Sequence, residues 1–282
     1  MADLWDDLLT CLELRELREL GDRGEPAPAA GAGRSAVFAG GNLPLSYHRL
    51  FGGQLLAQFA RAAALACPDK TVKSLHALFP KEGRSGEPVT YEAGILHEGR
   101  TFATLTITAR QPAGVIATAA VSMHAAEDGR DRQSLAKAPA VPGPAARVDL
   151  SLLPWETRTA DSLDSRDAAE PRYRLWMRTP AAAPELAQPL VAYGTDLTLI
   201  GTALRPEPGI SQQDAGTAFT SAVTSHTLWF HRPFRTDDWL LLRQHSPVLA
   251  HGRCFGRGDV LTADGTLVAS YAQEALLRFK DS

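Results

Sequence analysis

The stretch RLFGGQLLAQFARAAALACP, residues 49–68, decides the fold class of this chain. After the glycine pair 52–53 the segment is mostly Ala, Leu and Phe, and it ends at Pro68. A helix that is apolar on nearly every side is typical of a buried helix, because a surface helix keeps one polar face. We therefore expect a central helix that other elements of the chain cover.

Four strand-like stretches follow this helix, and each is rich in β-branched residues. They are VKSLHALFP at 72–80, VTYEAGILHEG at 89–99, TFATLTITARQ at 101–111 and VIATAAVSMHA at 115–125. The turn-forming segments KEGRSGEP, HEGR and PAG separate them, which predicts a meander of hairpins. A helix followed by such a meander predicts an α+β fold.

The second half of the chain repeats this order of elements. RYRLWMRTP predicts an extra strand, residues 185–204 contain a mainly apolar helix, and four further strand-like stretches follow. HEGRTFATL resembles AHGRCFGRG, and GVIATAAVSMHA can be aligned with TLVASYAQEALL. A duplicated unit indicates two copies of one fold, each a long helix wrapped by an antiparallel sheet.

Domain boundaries follow from changes in composition. We predict an N-terminal unit at 1–126, a linker rich in Pro, Asp and Arg at 127–171, and a C-terminal unit at 172–282. The first unit should open with a short amphipathic helix, DLWDDLLTCLELREL, at 3–17. The Pro- and Gly-rich segment at 21–36 predicts a loop.

Charge and cysteine usage limit the partners and the compartment. A net charge of -3 and a pI near 6.2 give no basic surface of the kind that nucleic acid requires. Cys11, Cys67 and Cys254 lie far apart without a CxxC pair, which argues against disulfides and a zinc site. The N-terminus lacks a signal-peptide core, and no apolar run approaches the roughly 18 residues of a membrane span. We expect a cytoplasmic protein.

Four segments, RLFGGQ, HTLWFHRPFR, WLL and LVASYAQEALLR, are similar to those of the bacterial acyl-CoA thioesterase II family, the TesB-like double-hotdog enzymes. The resemblance implies a tandem hotdog fold and hydrolysis of fatty acyl-CoA without a metal or other cofactor. It also implies a catalytic Asp on the second hotdog helix and a catalytic Gln on the last long strand, which correspond to Asp196 and Gln273. Family members commonly associate, so we expect a homo-oligomer.

The residues themselves support these two positions. Asp196 is the single charge in YGTDLTLIGTAL, and charged side chains are seldom buried unless they are paired or used. With period two, Gln273 shares an apolar strand face with Tyr271 and Ala275, so its amide needs a buried partner. A water between a carboxylate and an amide would suit thioester hydrolysis. The alternatives are an N-cap or salt-bridged Asp196 and a plain buried amide at Gln273.

Only one half of the repeat carries this polar pair. The position in the first half that aligns with Gln273 is Val121, and the helix LFGGQLLAQFA contains no acid. The sequence therefore predicts one site per chain. Gly52 and Gly53 could supply free N–H groups for an oxyanion at the start of the first helix, or could only permit tight packing.

One position departs from the family pattern. The family usually has Thr or Ser three residues before the His of the segment SHTLWFH, and this chain has Val223. Thr224 should face the other side of the strand unless a bulge intervenes, whereas Ser225 should share the face of Val223. We take Ser225 as the candidate third catalytic residue, with a second water or impaired turnover as alternatives.

Other functions have weaker support. A hotdog hydratase or dehydratase usually shows an Asp-x4-His helix, and Gly201 stands five residues after Asp196. An acyl-CoA-binding protein that has lost turnover is suggested by Val223. His226 and His231 lie five apart on a strand and should face opposite sides, which argues against a metal site.

Overall fold

The computed structural model describes residues 2–19, 34–45 and 49–280. Contacts divide the chain into two compact units. The N-terminal unit comprises Met1–Arg130 together with Gln188–Tyr193, and the C-terminal unit comprises Asp131–Ala187 and Gly194–Ser282.

The N-terminal unit is an antiparallel sheet that wraps a buried helix. Its elements are α1 Ala2–Leu12, β1 Arg15–Glu19, β2 Ser35–Gly40, α2 Gly52–Ala66, β3 Thr71–Leu78, β4 Val89–Glu98, β5 Phe102–Gln111 and β6 Gly114–His124. The strands run in the order β1-β2-β4-β5-β6-β3. Helix α2 packs against β2 to β6 and buries 11 of its 15 residues, which confirms the predicted buried helix. The four predicted strands are confirmed as β3 to β6.

The first predicted helix is too long. α1 ends at Leu12, and Arg15–Glu19 form strand β1, which pairs with β2 through Glu16 and Phe38. Backbone pairing with a neighbouring strand outweighs the local helix propensity of this leucine- and glutamate-rich segment. In the predicted loop at 21–36, residues 21–33 lie outside the described residues, and Ser35 and Ala36 begin β2.

The buried polar side chains of α2 form hydrogen bonds with one another and with the surrounding backbone. Gln58 Nε2 donates to the carbonyl oxygens of Cys11 at 2.9 Å and Gly41 at 2.8 Å. Tyr91 donates its hydroxyl proton to Gln58 Oε1 at 2.5 Å, and Gln54 Nε2 lies 3.1 Å from the same oxygen. Because these amides are fully engaged, they hold α1 and β2 onto α2 and have a structural role.

The C-terminal unit has the same plan. Its elements are β7 Glu156–Arg158, β8 Arg172–Arg178, α4 Leu199–Leu204, β9 Phe219–Phe230, β10 Leu240–Ala250, β11 Arg253–Thr262 and β12 Leu267–Phe279. Helix α3 Ala187–Thr195 is divided, because its residues Gln188–Tyr193 belong to the N-terminal unit and the rest to the C-terminal unit. The strands run in the order β9-β12-β11-β10-β8-β7. Helix α4 packs on β10, β11 and β12. We call the sheet face that meets α4 the inner face and the opposite one the outer face.

Most of the predicted linker packs with the C-terminal unit. From Asp131 onward the chain clusters with that unit, and it includes the short strand β7. Gln133 clamps the start of β12, since its amide donates to Gly265 O at 2.8 Å and accepts from Leu267 N at 2.9 Å. The predicted boundaries at 126 and 171 stay a prediction; the contacts place the division at Arg130.

The predicted helix around Asp196 is interrupted. α3 ends at Thr195, Asp196 is its C-cap, and α4 begins at Leu199 after the N-cap Thr198. Gly, Thr and Asp are poor helix formers, and the sequence GTDLT concentrates them at this point. Asp196 therefore lies at a break between two helices and not on a helical face.

Candidate active site

Gln273 lies in the middle of the C-terminal sheet, on the inner face. Strand β12 runs between β9 and β11, and Gln273 pairs with His226 on one side and Gly256 on the other. Its side chain is 2 % exposed, and Tyr271 and Ala275 on the same face are buried, as the alternation predicted. A Cβ at Gly256 would lie 2.6 Å from Leu199 Cδ2, so glycine at this position lets α4 approach the sheet.

The structure brings Asp196 and Gln273 together around one imidazole ring. Asp196 is 5 % exposed, and its Oδ1 lies 3.8 Å from Nδ1 of His226. Gln273 Oε1 lies 2.9 Å from the same nitrogen. Asp196, at the break between α3 and α4, and Gln273, on strand β12, are far apart in sequence but share a buried neighbour. Asp196 is a C-cap residue, so the alternative of an N-cap role does not hold.

The hydrogen bonds of His226 determine which way the amide of Gln273 points. Because Oε1 can only accept, Nδ1 of His226 carries the proton, and Nε2 accepts from the hydroxyl of Thr195 at 3.1 Å. His226 is fully buried, and this burial lowers its pKa to about 4, so the ring is neutral at neutral pH. Gln273 Nε2 is buried and has no acceptor among the described residues, so its N–H groups are available to a water or substrate oxygen.

Two members of this cluster were not predicted as site residues. The sequence pattern around His226 bears only on metal binding, and the sequence pattern around Thr195 predicts no role for it. Thr195 immediately precedes the buried acid Asp196. His226 belongs to the segment SHTLWFH, part of which resembles the family. Their contact depends on cross-strand register, which sequence periodicity does not supply.

A β-bulge at Thr224 overturns the expected orientation of Ser225. Glu274 pairs with Ser225 and Ala275 pairs with Val223, so Thr224 is the extra residue. The bulge shifts the alternation by one residue. Val223 therefore remains on the inner face opposite Ala275, whereas Ser225 lies on the outer face opposite Glu274.

Neither neighbouring hydroxyl replaces the one that the family carries at position 223. Thr224 donates to the backbone oxygen of Glu274 at 3.0 Å. The expectation that Ser225 shares the face of Val223 is wrong, and the structure does not bring Ser225 together with Asp196 and Gln273.

Gly52 and Gly53 begin α2 in the N-terminal unit, as predicted. A Cβ at Gly53 would lie 2.5 Å from the backbone oxygen of Tyr193 and 2.5 Å from the ring of Phe51. Close packing therefore accounts for this glycine without a catalytic role. The predicted role of the glycine pair in binding an oxyanion stays a prediction.

His231 and the three cysteines show no sign of a reactive site. His231 Nε2 lies 3.0 Å from Ser270 Oγ on the outer face, away from His226. In the part of the chain that the structure describes, no group of three or more His, Cys, Asp or Glu residues could hold a metal. Burial raises the pKa of the Cys11 thiol to about 12 and that of Cys254 to about 11. None of the described helices is long and apolar enough to cross a membrane.

We expect His226 to make the protein less stable on acidification. An unfolded histidine titrates near pH 6.5, whereas folded His226 takes up a proton only near pH 4. The free energy of unfolding should be highest above pH 6.5 and should fall by on the order of 3 kcal/mol between there and pH 4, at about 1.36 kcal/mol per pKa unit. Urea denaturation at a series of pH values measures this slope.

Two matched variants, His226→Gln and His97→Gln, test this dependence of stability on pH. His97 is exposed, so its replacement should leave the slope unchanged, whereas His226→Gln should flatten it. Equal slopes for wild type and His226→Gln would contradict a neutral buried imidazole.

Comparisons with known proteins agree with this architecture. A family model described as the acyl-CoA thioesterase C-terminal domain matches residues 117–277, and one described as the N-terminal domain matches residues 43–124. Acyl-CoA thioesterase 2 of Haemophilus influenzae is 28 % identical over 306 aligned residues and covers 100 % of both chains. Acyl-coenzyme A thioesterase 8 of Mus musculus is 28 % identical over 265 residues, with 82 % of this chain and 81 % of the relative covered.

A solved structure extends the agreement to three dimensions. The acyl-CoA thioesterase II TesB2 from Mycobacterium marinum superimposes with a TM-score of 0.75 at 27 % identity, over 97 % of this chain and 99 % of that one. The C-terminal family model alone spans more than half of this chain. With its two hotdog units, the chain belongs to the TesB-like acyl-CoA thioesterase II family.

Proposed function

We propose that this protein hydrolyses fatty acyl-CoA with a water molecule that Asp196 and Gln273 orient. The observation that carries the proposal is the buried cluster on the inner face. There, an acid and an amide meet at one imidazole, and the N–H groups of Gln273 have no acceptor among the described residues. Thioester hydrolysis requires these two functions, a base for water and a donor for the developing oxyanion.

Each side chain has a distinct part in the reaction. Asp196 accepts a proton from the water as the water oxygen bonds to the thioester carbonyl carbon. Gln273 donates an N–H to the carbonyl oxygen or to the water. His226 holds the amide, because its Nδ1–H donates to Gln273 Oε1 while its Nε2 accepts from the hydroxyl of Thr195. The C–S bond then breaks, the proton passes from Asp196 to the sulfur, and the products are a fatty acid and CoA thiol.

The test is a paired assay of turnover and binding. Thiol release from acyl-CoAs of increasing chain length measures hydrolysis, and calorimetry with the same compounds measures affinity. We expect both release and binding. Tight binding without release would favour the alternative, an acyl-CoA-binding protein in which Val223 has removed turnover.

A hydratase or dehydratase fits the cluster less well. Position 201 is glycine and not the histidine of that pattern, and a Cβ there would displace the side chain of Gln212, whose Oε1 lies 2.6 Å away. Although Asp196 has a histidine neighbour, both ring nitrogens of His226 are engaged with Gln273 and Thr195. Absence of hydration of enoyl-CoA by an enzyme preparation that releases thiol would exclude this function.

Restoring a hydroxyl at position 223 should accelerate the reaction. Val223 lies on the inner face, two residues along the sheet from Gln273, where a Thr hydroxyl could bond the same water. One added hydrogen bond contributes roughly 0.5–1.5 kcal/mol, so Val223→Thr should raise kcat about threefold to tenfold. Val223→Ala is the matched control for the change in volume. If Val223→Thr is no faster than Val223→Ala, position 223 does not contact the water.

The cellular compartment and the assembly state of the protein are also part of the proposal. We retain the expectation of a cytoplasmic homo-oligomer. Light scattering of the purified protein measures its mass in solution against the 30.3 kDa of one chain.

A further inference from the structure

A large groove lies on the outer face of the C-terminal sheet. Its cavity volume is about 690 Å³. Two rows of paired residues form its floor, one running Trp229–Ser270–Asp259–Arg243 and the other Ala272–Arg257–His245–Arg172. Gln273 points to the inner face, so the sheet separates this groove from the candidate active site.

One end of the groove is rich in arginine. A second cavity of about 330 Å³ shares Arg172, Arg243 and Gln244 with the first. The residues around both cavities include five arginines and three carboxylates, a local balance of +2 in a chain whose net charge is -3; they are Arg172, Arg174, Arg205, Arg243 and Arg257 with Asp161, Glu170 and Asp259.

Four of the five arginines pair with a carboxylate; Arg243 lies 3.0 Å from Asp259 and Arg172 lies 3.5 Å from Glu170. Asp161 is shared between Arg174 at 3.2 Å and Arg205 at 3.8 Å. The side chain of Arg205 is only 14 % exposed. Its Nε and Nη1 atoms are buried and have no hydrogen-bond acceptor among the described residues. Arg257 is exposed and forms no ion pair with any carboxylate that the structure describes. This end of the groove therefore attracts an anion.

The other end of the groove is aromatic. Trp229 on β9, the first strand in the order β9-β12-β11-β10, is 43 % exposed and lines the cavity. Three interstrand spacings separate Trp229 on β9 from Arg243 on β10, a backbone distance of roughly 14 Å. Asp259 lies between them in the same row, and Arg257 lies two residues away along β11 in the neighbouring row.

We propose that this groove binds an adenine nucleotide, with the base on Trp229 and the phosphates on Arg257, Arg243 and Arg172. Guanidinium groups bind phosphate oxygens in a bidentate manner, and an exposed indole ring is a stacking surface for a base. Free ADP carries this chemistry, and so does the 3′-phosphorylated ADP portion of CoA. Because the groove and Gln273 lie on opposite faces of the sheet, the ligand binds at a second site, distinct from the reacting thioester.

Calorimetry and tryptophan fluorescence of the full chain test the proposal. The probes are ADP, CoA, pantetheine and inorganic phosphate. ADP and CoA should bind and quench the fluorescence, whereas pantetheine, which lacks the nucleotide, should not bind in the groove. CoA that binds as tightly as ADP identifies the product as the source, and much weaker CoA binding identifies the free nucleotide.

Variants assign the binding to the groove. Arg257→Ala should weaken ADP binding about tenfold or more, and Arg257→Lys should recover part of the loss. Trp229→Phe should abolish the quenching. Arg100→Ala, at an exposed arginine of the N-terminal unit, is the matched control and should have no effect. The KM for acyl-CoA should change less than twofold in Arg257→Ala, because this residue lies on the other face of the sheet from Gln273.

Three results would overturn the proposal. They are no ADP binding at millimolar concentration, ADP binding that Arg257→Ala and Trp229→Phe leave unchanged, and a loss of ADP binding that is accompanied by an equal rise in KM. A change of mass in light scattering on Arg257→Ala without any nucleotide binding would identify the groove as a contact between copies of the chain. None of these readouts requires the assigned roles of Asp196 and Gln273 to be correct.

Discussion

Asp196→Asn should lower kcat for acyl-CoA hydrolysis by at least about a hundredfold, since a positioned base contributes typically 10² to 10⁴ to a rate. Asn keeps the shape of the side chain but cannot take a proton from water. The KM should change little, because Asp196 is proposed to contact the water and not the nucleotide or the acyl chain. The measurement is thiol release under saturating substrate.

The control for this prediction is an acid outside the cluster. Asp167 is exposed in the same unit, so Asp167→Asn should retain full activity. Thermal melts of both variants establish that the folded fraction is unchanged. If Asp196→Asn hydrolyses palmitoyl-CoA and shorter acyl-CoAs as fast as wild type, Asp196 is not the base.

Gln273→Met should lower kcat by about 10² to 10³, the typical cost of removing one preorganised donor from an oxyanion site. Met fills a similar volume on the inner face but lacks the N–H groups, and it leaves Nδ1–H of His226 without its acceptor. The loss should appear in kcat and kcat/KM together, as expected for an interaction that forms only in the transition state.

Gln244→Met separates this role from that of a plain buried amide. Gln244 is also buried on the inner face, and its amide bonds Thr198 Oγ1 and Thr202 Oγ1 at 2.5 and 2.9 Å. Its replacement should cost stability and leave kcat nearly unchanged when equal amounts of folded protein are compared. Similar losses of kcat in the two variants would show that Gln273 is a structural amide.

Local sequence patterns were sufficient to predict the fold and to single out two polar residues, Asp196 and Gln273, whose catalytic roles stay a prediction. The apolar segment of α2 and the alternating strands β3 to β6 carry their own periodicity, so each element could be predicted without its neighbours. Asp196 stood out because a charge in an apolar stretch is costly, and Gln273 because it falls on the apolar face of β12. The structure places both side chains in contact with His226.

Other predictions were wrong, because the features concerned depend on contacts with residues that are distant in sequence. The bulge at Thr224 moves Ser225 to the outer face, and its position is set by pairing with β12. The break after Thr195 reflects the competition between weak local helix formers and packing on the sheet. Residues 15–19 form strand β1 because their backbone hydrogen-bonds to the edge of β2. The bulge and β1 have no local sequence signature, whereas the break coincides with the poor helix formers of GTDLT.

By itself, the sequence determined the repeated helix-and-meander plan, the buried character of α2 and the two polar positions, since hydrophobic periodicity and burial cost are properties of each segment alone. The family followed from the resemblance of four segments to known sequences. Only the tertiary structure decided that Thr195, His226 and Gln273 form one hydrogen-bonded row beside Asp196, and which hydroxyls are excluded from it. The physical reason is strand register: a shift of one residue reverses every side chain, and the partner strand that sets it lies 47 residues away for His226 and Gln273.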